Sequence, residues 1–356
     1  MIDVRVAGYS LREILTAPPK ISDQLDGVCR TLSLQVQNSK HIDNLLGKDV
    51  ELYKGAERLF FGKIRRRGLN VSGALTLVAY DPLFHFKKNT DDFYYKKGTV
   101  TATKVYQDLA AKTGVKVGKL ANTRVVLPAL YYPKSEPNKI AVDVLARTKA
   151  AGGKNFWYRF DPSLKNFGLQ LFERVVPTTI WAFQVGVNLT DASYEESAEE
   201  LVTQVKLVNR ETGKVVTKKN AKMLEDYGKL QHFEEVDKEQ AASMDRKATS
   251  LLASLSKIVV TSKVSGFNPG SMPMFYSGDV IYVEERQTGM MGAYHIRNID
   301  QEYVSENLIN IAMDVEKTAS IPDVQYDTAT VNPNAEKPKK KAPKKKDTKK
   351  ETEKKK

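Results

Sequence analysis

Asp49-Val50-Glu51-Leu52-Tyr53, then Leu59-Phe60-Phe61-Gly62-Lys63-Ile64, then Leu75-Thr76-Leu77-Val78-Ala79-Tyr80 form a succession of short runs with one pattern. Apolar side chains recur in them near every second position, the period that half-buries a β-strand, and polar turns, one around Gly55, separate them. Just upstream, Arg30-Thr31-Leu32-Ser33-Leu34-Gln35-Val36-Gln37 alternates in the same way. A meander of short strands leaves its edges exposed unless it curls, so it closes most economically as a barrel.

Downstream the period changes. Between Thr99 and Gly118, Ala102, Val105, Leu109 and Ala110 share one face. Thr101 can cap the start and Gly114 the end, which predicts a short amphipathic helix. A second helix is expected from about Asn138 to Ala151, where Ile140, Val144, Leu145 and Thr148 line one side and Gly152-Gly153 supplies a left-handed exit. Phe156 to Phe160 and Leu169 to Phe172 then read as a strand pair around Asp161-Pro162 and Gly168. From Leu201 the chain returns to strands, with a turn at Glu211-Thr212-Gly213-Lys214. Glu239 to Leu255 reads as a further helix ahead of the β-branched run Ile258-Val259-Val260. The expected organisation is mainly β with an α+β insertion: a first β-barrel over 1–90, the insertion over 91–190, a second β-barrel with a helix over 191–318, and a tail over 319–356.

Charge and composition narrow the function. The net charge of +13 suggests an anionic partner until its distribution is seen. Residues 337–356 hold twelve lysines against Asp347, Glu351 and Glu353, a net of +9, which taken from +13 leaves +4 for residues 1–336. That tail cannot bury enough apolar surface to offset its ordering entropy, so it is expected to be a disordered polycation. It can bind an anionic partner, or serve only as a solubilising or assembly appendage. Cys29 is the sole cysteine, which excludes an intrachain disulfide and fits folding in a reducing cytoplasm. The start Met1-Ile2-Asp3-Val4-Arg5 lacks a signal-peptide pattern, and no apolar run reaches the roughly 18 residues of a membrane span.

Two distant units look alike. Gly47-Lys48-Asp49-Val50 opens one and Ser277-Gly278-Asp279-Val280 the other; Tyr53 and Tyr282 follow, then Gly62 and Gly292, each thirteen residues after the aspartate. Each unit continues with Ile-Arg (Ile64-Arg65, Ile296-Arg297) and closes on an alternating strand ending at Ala79 or Ala312. Any two hairpins share Gly, Asp and alternation. Alternatively the chain holds two related barrels, and three copies would then present six similar modules, able to match a six-fold partner on one side and a three-fold one on the other.

The order of these pieces resembles the XkdQ-like baseplate hub family of contractile phage tails and PBSX-type phage-like particles. The resemblance covers most of residues 20 to 316. It rests on Asp26 to Val36, Gly47-Lys48-Asp49-Val50, Phe61-Gly62-Lys63-Ile64, Ala79-Tyr80-Asp81-Pro82-Leu83, and Tyr94-Tyr95 before the helix ending at Gly114. Further on it rests on Val264-Ser265-Gly266-Phe267, Gly278-Asp279-Val280, Gly292-Ala293-Tyr294-His295-Ile296 and the strand Leu308 to Ala312. The lysine tail lies outside the pattern. The resemblance implies two tube-type β-barrels per chain and a homotrimer forming a pseudo-six-fold ring. Such a ring joins the six-fold tail tube to the three-fold central spike and touches baseplate wedge proteins, in a virion tail assembled in the bacterial host cytoplasm. It brings no catalytic residues and no cofactor, and it implies a structural protein, not an enzyme.

His41, His85, His232 and His295 stand apart, without the spacing of a zinc site. The acidic pairs Asp91-Asp92, Glu195-Glu196, Glu199-Glu200 and Glu234-Glu235 read as solvated faces. A glycosidase pair, which would make the chain a tail-associated cell-wall hydrolase, stays open because convergence across a cleft is not visible in sequence. Gly152-Gly153-Lys154-Asn155 lacks the phosphate-loop frame and follows a helix instead of preceding one. Asn70-Val71-Ser72 and Asn188-Leu189-Thr190 match the glycosylation triplet by chance. The other alternative is a β-barrel binding single-stranded nucleic acid, for which Phe84-His85-Phe86-Lys87-Lys88 and Tyr94-Tyr95-Lys96-Lys97 offer rings beside lysines.

Overall fold

The computed structural model describes residues 1–38, 45–71, 73–96, 98, 100–237 and 244–318. The expected lysine-rich tail, His41 and the first turn of the expected 239–255 helix lie outside them.

Alternation at the start of the chain produces β1 (Ile2–Val6), β2 (Tyr9–Ser10), β3 (Lys20–Gln24), β4 (Thr31–Gln37), β5 (Asp49–Lys54), β6 (Glu57–Leu69) and β7 (Ala74–Tyr80). They are antiparallel neighbours in the order β3-β4-β7-β6-β5-β1-β2. Leu15 bridges back to Val36 and the Thr16 N–H donates to the Gln35 carbonyl at 2.9 Å, which closes the sheet on itself. Leu32, Leu34 and Val36 of β4 point inward against Leu52, Phe60, Leu75 and Leu77.

The insertion follows as α1 (Phe84–Lys88), β8 (Asp91–Tyr95), α2 (Ala102–Thr113), β9 (Val117–Leu120), β10 (Leu130–Ser135), α3 (Pro137–Ala150), β11 (Phe156–Asp161) and β12 (Gly168–Glu173). Thr101 caps α2 by accepting from the Lys104 N–H, and Gly114 ends it in a left-handed conformation. Both helices bury the faces their spacing predicts, and the Tyr106 hydroxyl of α2 donates to the Ala141 carbonyl of α3 at 3.0 Å. With the β11-β12-β9 sheet they form a core of their own.

The remainder comprises β13 (Trp181–Gln184), β14 (Leu189–Ser197), β15 (Gln204–Val208), β16 (Val215–Lys219), α4 (Ala221–Tyr227), β17 (Gln231–Glu235), α5 (Met244–Leu255), β18 (Val259–Asn268), β19 (Val280–Glu285), β20 (Met290–Ser305) and β21 (Leu308–Glu316). Two boundaries differ from expectation. β13 begins at Trp181, inside the stretch assigned to the insertion, because it pairs in parallel with β19, a partner about a hundred residues downstream that no local pattern announces. Residues 204–255 do not join the second barrel either. Here β16-β15-β17 make a separate sheet whose Val205 and Leu207 pack on Met244 and Ala248 of α5.

The two similar units have the same topology. β4-β7-β6-β5 in the first barrel corresponds to β18-β21-β20-β19 in the second, all antiparallel. Each carries a bulge at its Ile-Arg pair: the β6–β7 register slips between Ile64 and Arg66, and the β20–β21 register between Ile296 and Asn298. Beside each bulge a left-handed glycine, Gly47 (φ 79) or Gly278 (φ 87), donates its N–H to the isoleucine carbonyl, at 2.8 and 2.7 Å. Residue matching therefore shifts by one from the sequence alignment. Gly47 corresponds to Gly278 instead of Ser277, so Asp49 falls opposite Val280. Gly62 and Gly292 do not correspond, since Gly62 pairs with Val50 while Gly292 pairs with Val283.

Candidate functional site: the joint between the barrels

The barrels are fused through their sheets. β20 is sixteen residues long; its first part, Met290 to His295, pairs with β19, and on the same flank Asn298 to Glu302 pair with β3 of the first barrel. The result among the described residues is one 13-stranded sheet that runs through both barrels, with interiors merged in one apolar core.

A buried polar cluster holds the insertion against this seam. Arg30 is 2% exposed and sits on the inward parity of Leu32, Leu34 and Val36. Its Nη2 donates to the Phe160 carbonyl of β11 at 3.4 Å and its Nη1 to the Leu59 carbonyl at 3.5 Å. Its Nε lies 3.7 Å from Asp81 at the end of β7. The guanidinium also lies 4.9 Å from the ring centre of Tyr276, in the segment leading into the second barrel. One side chain thus touches both barrels and the insertion.

Arg159 of β11 makes the second tie. Its Nη1 donates to Asp279 at 3.0 Å, and its guanidinium lies 4.1 Å from Tyr276 and 4.7 Å from Phe172. Asp279 also accepts from the Tyr276 N–H, and Asp23 of β3 accepts from the Ser277 N–H at 2.9 Å. Burial pushes the Asp81 carboxyl up to about 7 against the pull of Arg30, and raises Tyr276 and Asp279 above their ordinary values. Such a cluster fixes relative orientation: each charge is expensive to bury alone, so the arrangement is stable only when all three modules are in place.

Two of the four acidic pairs have partners within the chain. Asp91 pairs with Lys112, Asp92 accepts from the Lys134 N–H, Glu234 pairs with Lys247, and Glu235 with Arg210. His295 is buried and His232 leans on Glu234, and no group of three metal-ligating side chains occurs among the described residues. In the aromatic–lysine clusters Phe86 is buried, Arg65 and Lys88 cover Phe84, and the Tyr95 hydroxyl donates to Asp108 at 3.0 Å. Phe84, Phe86 and Tyr95 thus have partners within the chain. Lys154 pairs with Glu173, and Gly152 (φ 84) ends α3 as expected. No described helix is long and apolar enough to cross a membrane.

Comparison with known proteins fits this architecture. A family model described as YqbQ-like matches residues 20–315, from the start of β3 into β21, and so spans both halves of the fused sheet. The chain belongs to the YqbQ-like family. Within reach of this YqbQ-like chain is the phage-like element PBSX protein XkdQ of Bacillus subtilis, 24% identical over 275 residues, 76% of this chain and 81% of XkdQ. The 43 kDa tail protein of prophage MuSo2 from Shewanella oneidensis superposes with a TM-score of 0.63 at 12% identity, covering 88% of this chain and 98% of that one. The Escherichia coli c3393 protein superposes with a TM-score of 0.52 at 9% identity, over 90% of this chain and 80% of that one. That protein is a component of the type VI secretion system with structural similarity to the T4 bacteriophage tail proteins gp27 and gp5. By family the chain is YqbQ-like, and its mainly β fold is similar to that of phage tail proteins.

Proposed function

We propose that the protein is the baseplate hub of a contractile phage tail or phage-like particle: a non-enzymatic homotrimer that joins a six-fold tail tube to a three-fold central spike and contacts baseplate wedge proteins. The observation that carries this reading is the duplicated barrel. Two units of one topology, bulged at corresponding Ile-Arg pairs and fused side by side through β3 and β20, give six like modules when three chains assemble. A ring of that kind presents near-six-fold symmetry toward a tube while remaining three-fold toward a spike. The buried Arg30 and Arg159 ties support the same reading, because a symmetry adaptor needs its modules held in fixed orientation.

Light scattering after size exclusion, on the full chain at moderate salt and over a tenfold concentration range, tests it. A three-chain mass is expected, with six modules around an axis when the particle is imaged. A single-chain mass throughout would overturn the trimer.

A further inference from the structure

The joint inside the chain indicates how chains meet. In the second barrel, β3 covers the flank of β20 just past the Arg297 bulge, over Asn298 to Glu302. The corresponding flank in the first barrel is that of β6 past the Arg65 bulge, from Arg66 to Leu69. There β5 has already ended, its last pair being Asp49 with Lys63, and no strand lies beside this flank among the described residues. The strand that corresponds to β3 is β14, since β3 borders β4 and β14 borders β18. The edge of β14 from Asp191 to Ser197 is likewise uncovered among the described residues.

We propose that β14 of one chain adds to β6 of the next, repeating between chains the β3–β20 pairing found within one; this rests on the trimeric-hub reading. The registers specify the pairs. Matching β6 to β20 through their partners β7 and β21 sets Arg67 against Ile299 and Leu69 against Gln301. Matching β14 to β3 through β18 and β4 sets Tyr194 against Ile21 and Glu196 against Asp23. Since Ile299 faces Asp23 and Gln301 faces Ile21, Arg67 falls opposite the neighbouring chain's Glu196 and Leu69 opposite its Tyr194.

Exposure and charge agree with this arrangement. Ile21 is 0% and Gln301 1% exposed in the internal joint, whereas Tyr194 is 44% and Leu69 52% exposed. Arg65, Arg66 and Arg67 make the β6 flank basic, and Asp191, Glu195 and Glu196 make the β14 edge acidic. Two open strand edges of opposite charge pair readily, and the like charges along each edge discourage its pairing with a second copy of itself. The contact is head-to-tail, so copies add in one direction instead of ending at a dimer, and the trimeric reading closes them into a ring of three.

Cross-linking tests the register. In a full chain carrying Cys29→Ser, the pair Leu69→Cys and Tyr194→Cys places two thiols directly opposite across an antiparallel joint, within disulfide reach. Both positions are exposed, so folding should hold, and an unchanged circular dichroism melt checks it. On mild oxidation a non-reducing gel should show a ladder ending at three chains. A three-chain mass by light scattering with no cross-link would overturn the strand pairing and leave the trimer standing. A single-chain mass at every concentration would overturn both. As a second measurement, Arg67→Glu should weaken self-association at least tenfold, and adding Glu196→Arg should recover it; loss without recovery would overturn the pairing.

Discussion

The guanidinium of Arg159 donates to the Asp279 carboxylate at 3.0 Å while lying 4.1 Å from the ring centre of Tyr276, so a strand of the insertion grips the second barrel by charge and by stacking together. Replacing Arg159 with alanine should destabilise the chain by about 1–3 kcal/mol, because Asp279 loses its cation in a partly dry site. Lysine should recover only part of that, lacking the planar fork that stacks and donates at once. Urea unfolding of both variants measures the difference.

Stability should depend on pH through Asp81. Burial holds its folded value at about 7, above the ordinary 3.8, so between these limits the folded chain retains a proton the unfolded chain has released. Raising the pH across that window therefore costs the folded state, and the contribution, full in acid, is gone above about 7. Asp81→Asn should flatten this part of the profile. Melting temperatures of the two proteins from pH 4 to 8 give the comparison, and equal slopes would contradict it.

Glycine is required at Gly62 for a different reason than at Gly47. A Cβ on Gly47 meets nothing within 4 Å, so Gly47→Ala pays only for its left-handed backbone, about 1–2 kcal/mol. A Cβ on Gly62 would stand 2.3 Å from the Tyr80 carbonyl oxygen, which cannot move without breaking the sheet. Gly62→Ala should cost about 3 kcal/mol, toward the upper end for overpacking. Denaturant midpoints should rank the two in that order.

The hydroxyl of Tyr106 links the two helices of the insertion through the Ala141 carbonyl. Tyr106→Phe keeps the ring packed and should lose about 1 kcal/mol, the usual net worth of one buried hydrogen bond. A larger loss by thermal melting would mean that the ring itself shifts.

What was legible in sequence was whatever repeats locally. The caps Thr101 and Gly114, the buried faces of α2 and α3 and the alternation of β4 to β7 were read correctly because each depends on neighbours within a few residues. The likeness of the two units is also visible, although residue identity aligns Asp49 with Asp279 where the bulges match Gly47 to Gly278. Pairings between distant segments were not visible: β13 with β19 and β3 with β20 depend on chain closure, and the strands of 204–235 alternate like those of a barrel while building a separate sheet. Arg30 and Arg159 belong to no motif. One signal did exist, since Arg30 occupies the inward parity of Leu32, Leu34 and Val36, where a charge is out of place unless something buried answers it.

The seam between β3 and β20 also sets a schedule. Residues 20–24 cannot find residues 298–302 until the ribosome has made nearly 280 more residues, which takes on the order of tens of seconds at about 5–20 residues per second. Through that interval the amino-terminal barrel waits with a bare flank at β3, and self-association on the ribosome is a hazard that lasts until the β20–β21 hairpin arrives to cover it.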